Sequence, residues 1–143
     1  MTRTAALLVS TLVCATVLSG CGGGSAYCDA VDKDKASLNT FGEKRTDAAY
    51  AGYAKVLEGV AKVAPATIKK DWTTLADVTK GVIAAQKAVD LKLEDMTDTA
   101  KVKKLSAAQL KELNAAYTTF NGTKAERTAV VKNVKQECKI TLK

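Results

Sequence analysis

Residues 46–64 read TDAAYAGYAKVLEGVAKVA. Tyr50, Tyr53, Ala54, Leu57, Val60, Ala61 and Ala64 recur at spacings of three and four, which is one apolar stripe down a helix. Polar and small residues fill the rest of the turn. The spacing predicts a helix from about Thr46 to Val63. Pro65 follows directly and suits the first turn of a new helix, where its missing N–H costs nothing. That second helix is predicted from Pro65 to about Val89, or on to Asp95. Its stripe is Ile68, Trp72, Leu75, Val78, Val82, Val89 and Leu93.

The same period extends outward from this pair. Upstream, Asn39 to Lys44 reads as a turn around Gly42, preceded by a short helix from Tyr27 to about Leu38 anchored by Val31 and Leu38. Downstream, Met96 to Lys104 is polar and reads as a loop. Ser106-Ala-Ala-Gln109 and Thr123-Lys-Ala-Glu126 are both capping-box patterns, and Asn121-Gly122 between them is a stop signal. They predict one helix presenting Leu110, Leu113, Tyr117 and Phe120, and another presenting Val130, Val131, Val134 and Cys138. A single long kinked helix fits the same pattern. No segment sustains strand alternation. The fold class predicted is all-α, an antiparallel bundle of four to five helices.

The start of the chain is of another kind. Met1 to Thr4 carries one basic residue, Arg3, and Ala5 to Val17 is an uncharged run of thirteen residues. As a helix it would be about 20 Å long, short against a hydrocarbon core of about 30 Å. A basic start, a short apolar core and small residues after it mark a secretory signal peptide. Leu18-Ser19-Gly20-Cys21 resembles the lipobox of bacterial lipoproteins, an aliphatic residue and two small ones before cysteine. In that family the thiol receives a diacylglyceryl group and the chain is cut just before it. The resemblance implies a signal peptide at 1–20, a lipidated Cys21 with a glycine-rich tether at 21–26, and a helical domain at 27–143. It implies a location on the extracytoplasmic face of the cell membrane. Two acyl chains anchor stably where one holds only marginally.

Of four cysteines, Cys14 leaves with the signal peptide and Cys21 takes the lipid. Cys28 and Cys138 remain, one at each end of the domain. An even remainder in an exported protein argues for a disulfide, and two thiols allow one pairing. Closing a loop of about 110 residues would stabilise the fold by roughly 4–5 kcal/mol on the chain-entropy account. The bridge would make the first and last helices antiparallel neighbours. The ends Tyr27-Cys28-Asp29 and Glu137-Cys138-Lys139-Ile140 resemble small helical lipoproteins of actinobacteria. That second resemblance covers two short stretches and implies no characterised activity.

The chemistry of the domain is sparse. The chain has no histidine, which removes the commonest general base and metal ligand. No serine stands in a nucleophile elbow or three residues before a lysine. The cluster Asp29, Asp32 and Asp34 lacks the glycine and closing glutamate of a calcium loop and reads as first-turn acids favoured by the helix dipole. Glu94, Asp95 and Asp98 read as loop and helix-end solvation. Tyr50, Tyr53, Trp72, Tyr117 and Phe120 fall at core spacing rather than as a ligand box. These readings predict no enzyme, no cofactor and no metal.

Charge is uneven along the chain. Residues 101–143 hold ten basic and three acidic side chains, which is the whole net charge of +7. For an exported, tethered protein this points away from nucleic acid and toward anionic lipid headgroups or an acidic envelope polymer. The function predicted is a membrane-anchored, non-enzymatic binding module with the membrane, an envelope protein or an anionic surface as partner. The alternative is a carrier holding a small apolar ligand between the helices at 46–63, 65–89 and 106–120.

Overall fold

The computed structural model describes residues 25–143. The signal-peptide and lipidation readings, Cys21 included, lie outside the described residues. The described chain is all helical: α1 (Ala26–Lys33), α2 (Lys35–Asn39), α3 (Asp47–Val63), α4 (Ala66–Ala88), a 3-10 turn (Leu93–Thr97), α5 (Thr99–Val102), α6 (Ala107–Asn121) and α7 (Lys124–Cys138). No strand occurs among the described residues.

The α3–α4 hairpin is the frame. The Thr46 hydroxyl accepts from the Ala49 amide and starts α3. The whole predicted stripe, Tyr50 through Ala64, is buried. Pro65 forces Ala64 into extended backbone, which ends α3. Pro65 itself is the N-cap of α4, one position before its predicted place. Lys80 bridges back to Glu58 at 2.7 Å, fixing α4 beside α3 on the exposed side.

The α4 stripe differs from prediction in two ways. Val78 is only half-buried, while Thr79 and Gln86 are fully inside. Thr79 is tolerated there because its hydroxyl donates to the Leu75 carbonyl at 2.7 Å. The helix ends at Ala88 with Val89 as its cap, at the predicted stop near Val89, and does not take the alternative of running on to Asp95. Asp90 adopts left-handed backbone, φ 49°, and the Leu91 amide turns back to the Gln86 carbonyl. That reversal brings Val89 and Leu91 together over Leu113 of α6.

Three further predictions are corrected. The first helix is broken at Asp34, φ −101°, into α1 and α2; a mid-helix aspartate is a poor former and yields where packing turns the chain. Ser25 and Ala26, assigned to the tether, belong to the fold: Ser25 caps α1 by accepting from the Cys28 amide, and Ala26 is its first residue. The 96–104 segment is not structureless, since Asp98 caps α5 by accepting from the Ala100 and Lys101 amides. The predicted turn at 39–44 is present, with Gly42 at φ +81°.

The capping box at Ser106 forms as predicted, with Gln109 reciprocating. The one at Thr123 does not. Thr123 donates instead to the Phe120 carbonyl at 2.7 Å. Arg127 donates to the Phe120 carbonyl at the end of α6 and to the Thr123 carbonyl at the start of α7, so the end of α6 is capped from α7. Two helices therefore meet at a joint, and Gly122 there keeps ordinary helical backbone. Both pack on α4 in succession: Leu113 with Val89, Phe120 with Val82, Val130 and Val134 with Trp72. The core is thus three clusters strung along α4.

Both ends of the domain close on the first cluster. Cys28 and Cys138 stand in disulfide contact, with Cα atoms 5.2 Å apart. Beside them the buried Trp72 Nε1–H donates to the Tyr27 hydroxyl at 3.1 Å, and that hydroxyl donates to Asn133 Oδ1 at 2.8 Å. The pairing has a direct check. Non-reducing peptide mapping should recover the Cys28 and Cys138 peptides linked, and reduction should lower the denaturant-unfolding free energy by about 2–5 kcal/mol. Quantitative thiol labelling of both positions in the native protein would refute it.

Candidate functional site

The largest cleft on the domain, about 610 Å³, lies between the 39–46 turn, the Leu93–Thr97 turn and the α6–α7 joint. Its floor is aromatic. Phe120 lies 5.5 Å from Tyr50 and 5.6 Å from Phe41 between ring centroids, and Phe41 meets Tyr53 edge-on at 5.3 Å. The Arg127 guanidinium sits over Phe120, 5.5 Å from its centroid. Arg45, Glu43, Thr97, Tyr117 and Asn121 add polar lining, and Met96 is a half-buried apolar wall.

The two turns that shape the cleft are tied to each other by reciprocal bonds. The Asp47 carboxylate accepts from the Leu93 amide at 2.9 Å, and the Glu94 carboxylate accepts from the Asp47 amide at 3.0 Å. Asp95 pairs with Lys101 at 2.7 Å. The acidic cluster read as loop and helix-end solvation is at helix ends and largely exposed: Glu94 and Asp98 accept from amides at the starts of α3 and α5, and Asp95 pairs with Lys101. Its own amide and that of Asp47 hold Glu94 below the usual carboxylate range, and the Lys101 ammonium does the same to Asp95. Among the described residues no group of three or more Asp, Glu or Cys is placed to hold a metal ion.

The aromatic set divides. Tyr53, Trp72 and Tyr50 are buried and pack in the core, as their spacing predicts, and Phe120 joins them. Yet Tyr50 and Phe120 also form the cleft floor, and Tyr117 is half-exposed on its wall. The Tyr117 hydroxyl accepts from Gln86 Nε2 at 2.6 Å, while Gln86 Oε1 is buried without a partner among the described residues. The sequence reading missed Phe41, Arg45 and Arg127 as neighbours. Phe41 is the one large apolar residue in the 39–46 turn, and that isolation was the available signal. Arg127 counted only as one basic residue of ten; its commitment to helix-end carbonyls has no sequence mark.

Most of the other basic residues of 101–143 stand exposed. Lys103, Lys104, Lys111, Lys124, Lys132, Lys135, Lys139 and Lys143 have no carboxylate within 4.0 Å among the described residues. No helix among them is long and apolar enough to cross a membrane. Comparison with protein-family models, with curated proteins and with solved structures found no match to this chain.

Burial raises the hydroxyl pKa of Tyr27, Tyr50 and Tyr117 above the ordinary tyrosine value. An acid whose folded pKa is raised contributes stability that is complete below its unfolded pKa of about 10 and is lost as pH rises through the folded value. Spectrophotometric titration should show Tyr27, Tyr50 and Tyr117 ionising late, with unfolding midpoints falling above about pH 10. Ordinary titration of these three would contradict the packing described.

Proposed function

We propose that the chain is an extracytoplasmic lipoprotein, acylated at Cys21 and held on the outer face of the cell membrane, whose helical domain is a non-enzymatic binding module. The anchor reading rests on Leu18-Ser19-Gly20-Cys21 and on the short distance from it to the fold. Only Gly22, Gly23 and Gly24 separate Cys21 from Ser25, the cap of α1. A link that short reaches at most about 14 Å, so the domain stays close to the headgroups. The two cysteines left over are brought together, as an exported protein would use them.

The observation that carries the binding reading is where open space lies. A carrier would hold its ligand between α3, α4 and α6. Tyr53, Val82, Gln86 and Leu113 fill that space, each buried. The clefts instead open on the surface, and the 610 Å³ cleft brings aromatic rings and two guanidinium groups to one place. This arrangement supports recognition at the surface over storage inside. The uncompensated lysines of α6 and α7 support an anionic surface as the partner nearest at hand.

Two measurements test this. Intact-mass analysis of the mature protein should show a chain beginning at Cys21 with added acyl mass, and Cys21→Ala should leave an unprocessed precursor or a released protein. A mature chain without acyl mass would overturn the anchor. The unlipidated protein should bind anionic vesicles weakly at low salt and release at physiological salt, since each basic residue near such a surface contributes about 1 kcal/mol within a Debye length of about 8 Å. Equal binding to neutral vesicles would remove the anionic partner.

A further inference from the structure

We infer that the cleft beside the α6–α7 joint is a binding site for a small organic anion with an aromatic or flat apolar body, a reading that rests on the binding-module proposal above. Tyr50 is the first observation. Its side chain is only 3% exposed, yet it lines the cleft and its hydroxyl has no hydrogen-bond partner among the described residues. The other two tyrosine hydroxyls of the core are engaged, Tyr27 with Asn133 and Tyr53 with the Thr40 carbonyl. Among the described residues the fully buried side-chain polar atom left without a partner is Gln86 Oε1 and not this hydroxyl, so the Tyr50 hydroxyl reaches solvent on the cleft side and is free to bond a ligand there.

The second observation is charge. Arg45 and Arg127 both line the cleft, and neither has a carboxylate within 4.0 Å among the described residues. Both act electrostatically on the Tyr50 hydroxyl, which places their positive field at the same spot. Arg127 spends Nε and Nη2 on carbonyls, its Nη1 makes no hydrogen bond among the described residues, and its guanidinium sits over Phe120. Glu43 is the one acid on the lining, and the Asp47 carboxylate, which accepts from the Leu93 amide, lies outside it. Two cations facing one free acid leave the cleft positive.

The third is shape. The Phe120 and Phe41 rings, tilted 46° to each other, and the Met96 side chain give an apolar floor and wall for a ring to lie against. A volume of about 610 Å³ is in the range of small-molecule sites, about 300–1,000 Å³. The anion would meet Arg45 and the Tyr50 hydroxyl, and the ring would meet Phe120. A naked inorganic anion would leave the aromatic floor unused, and a neutral apolar molecule would leave both arginines unused.

Isothermal titration of the full-length chain in phosphatidylcholine vesicles tests the inference, with indole-3-acetate as probe and indole-3-ethanol as its neutral twin. The acetate should bind about tenfold more tightly than the alcohol, the ratio a charged hydrogen bond supplies. Arg45→Gln, at an exposed position, should abolish that preference. Tyr50→Phe, which keeps the ring and the packing, should weaken the acetate by about two- to tenfold. Equal binding of the two probes, binding of neither, or a preference that survives Arg45→Gln would overturn the site. Inorganic phosphate competing as well as the acetate would show a simple anion hole and overturn the aromatic part. A chain found without acyl mass would overturn the anchored-module reading and leave this titration unchanged, so the two failures are distinguishable.

Discussion

The Trp72 indole donates to the Tyr27 hydroxyl, and that hydroxyl donates onward to Asn133, in the one place where α1, α4 and α7 meet. The arrangement of the rest follows from this relay and the Cys28–Cys138 contact beside it. α1 is eight residues long, far below the length at which an isolated helix is stable in water, about 12–15 residues. It therefore exists because Tyr27 and Val31 are buried against the frame, at 2% and 0% exposure. The relay makes that burial specific. Any other seating of α1 would leave the indole N–H and the phenol oxygen unpaired inside, at about 1–3 kcal/mol each.

Closing both ends on the first core cluster has a geometric consequence. The three clusters run in order along α4, from Ile68 and Trp72, through Val82, to Val89. The entry of the chain at Ser25 and its exit after Cys138 lie with the first of these. The cleft lies with the second, where the 39–46 turn, the Leu93–Thr97 turn and the α6–α7 joint converge. On the proposed anchor, the end that is cross-linked is the end nearest the membrane, and the cleft stands away from it along the domain. Arg127 links the two regions, since it also lines a smaller apolar cleft with Trp72 and Leu142.

Much of the fold was legible because it rests on local rules. The stripe from Tyr50 to Ala64, the break at Pro65, the turn at Gly42, the Ser106–Gln109 box and the meeting of Cys28 with Cys138 all follow from spacing, cap chemistry or elimination. The illegible parts depend on tertiary partners. Tyr27 reads as an unremarkable residue in a polar helix until Trp72 and Asn133 are placed beside it. Gln86 reads as surface, and it is inside because α6 brings Tyr117 to its amide. Thr123 reads as a cap, and it serves α6 instead because the carbonyls there needed donors. The cleft was legible only in part: Tyr50, Tyr117 and Phe120 stand among the aromatic residues weighed as a ligand box, but Phe41 and the two arginines that complete it come from separate segments.

Native-state hydrogen exchange tests the relay most directly, by comparing the amides of α1 with those of α4. If Tyr27 and the cysteine contact lock α1 to the frame, the Val31 amide of the oxidised protein should open with a free energy close to that of Leu75 in α4. It should open far more readily in Tyr27→Phe after reduction. An oxidised wild-type protein whose α1 amides exchange orders of magnitude faster than those of α4 would contradict the account.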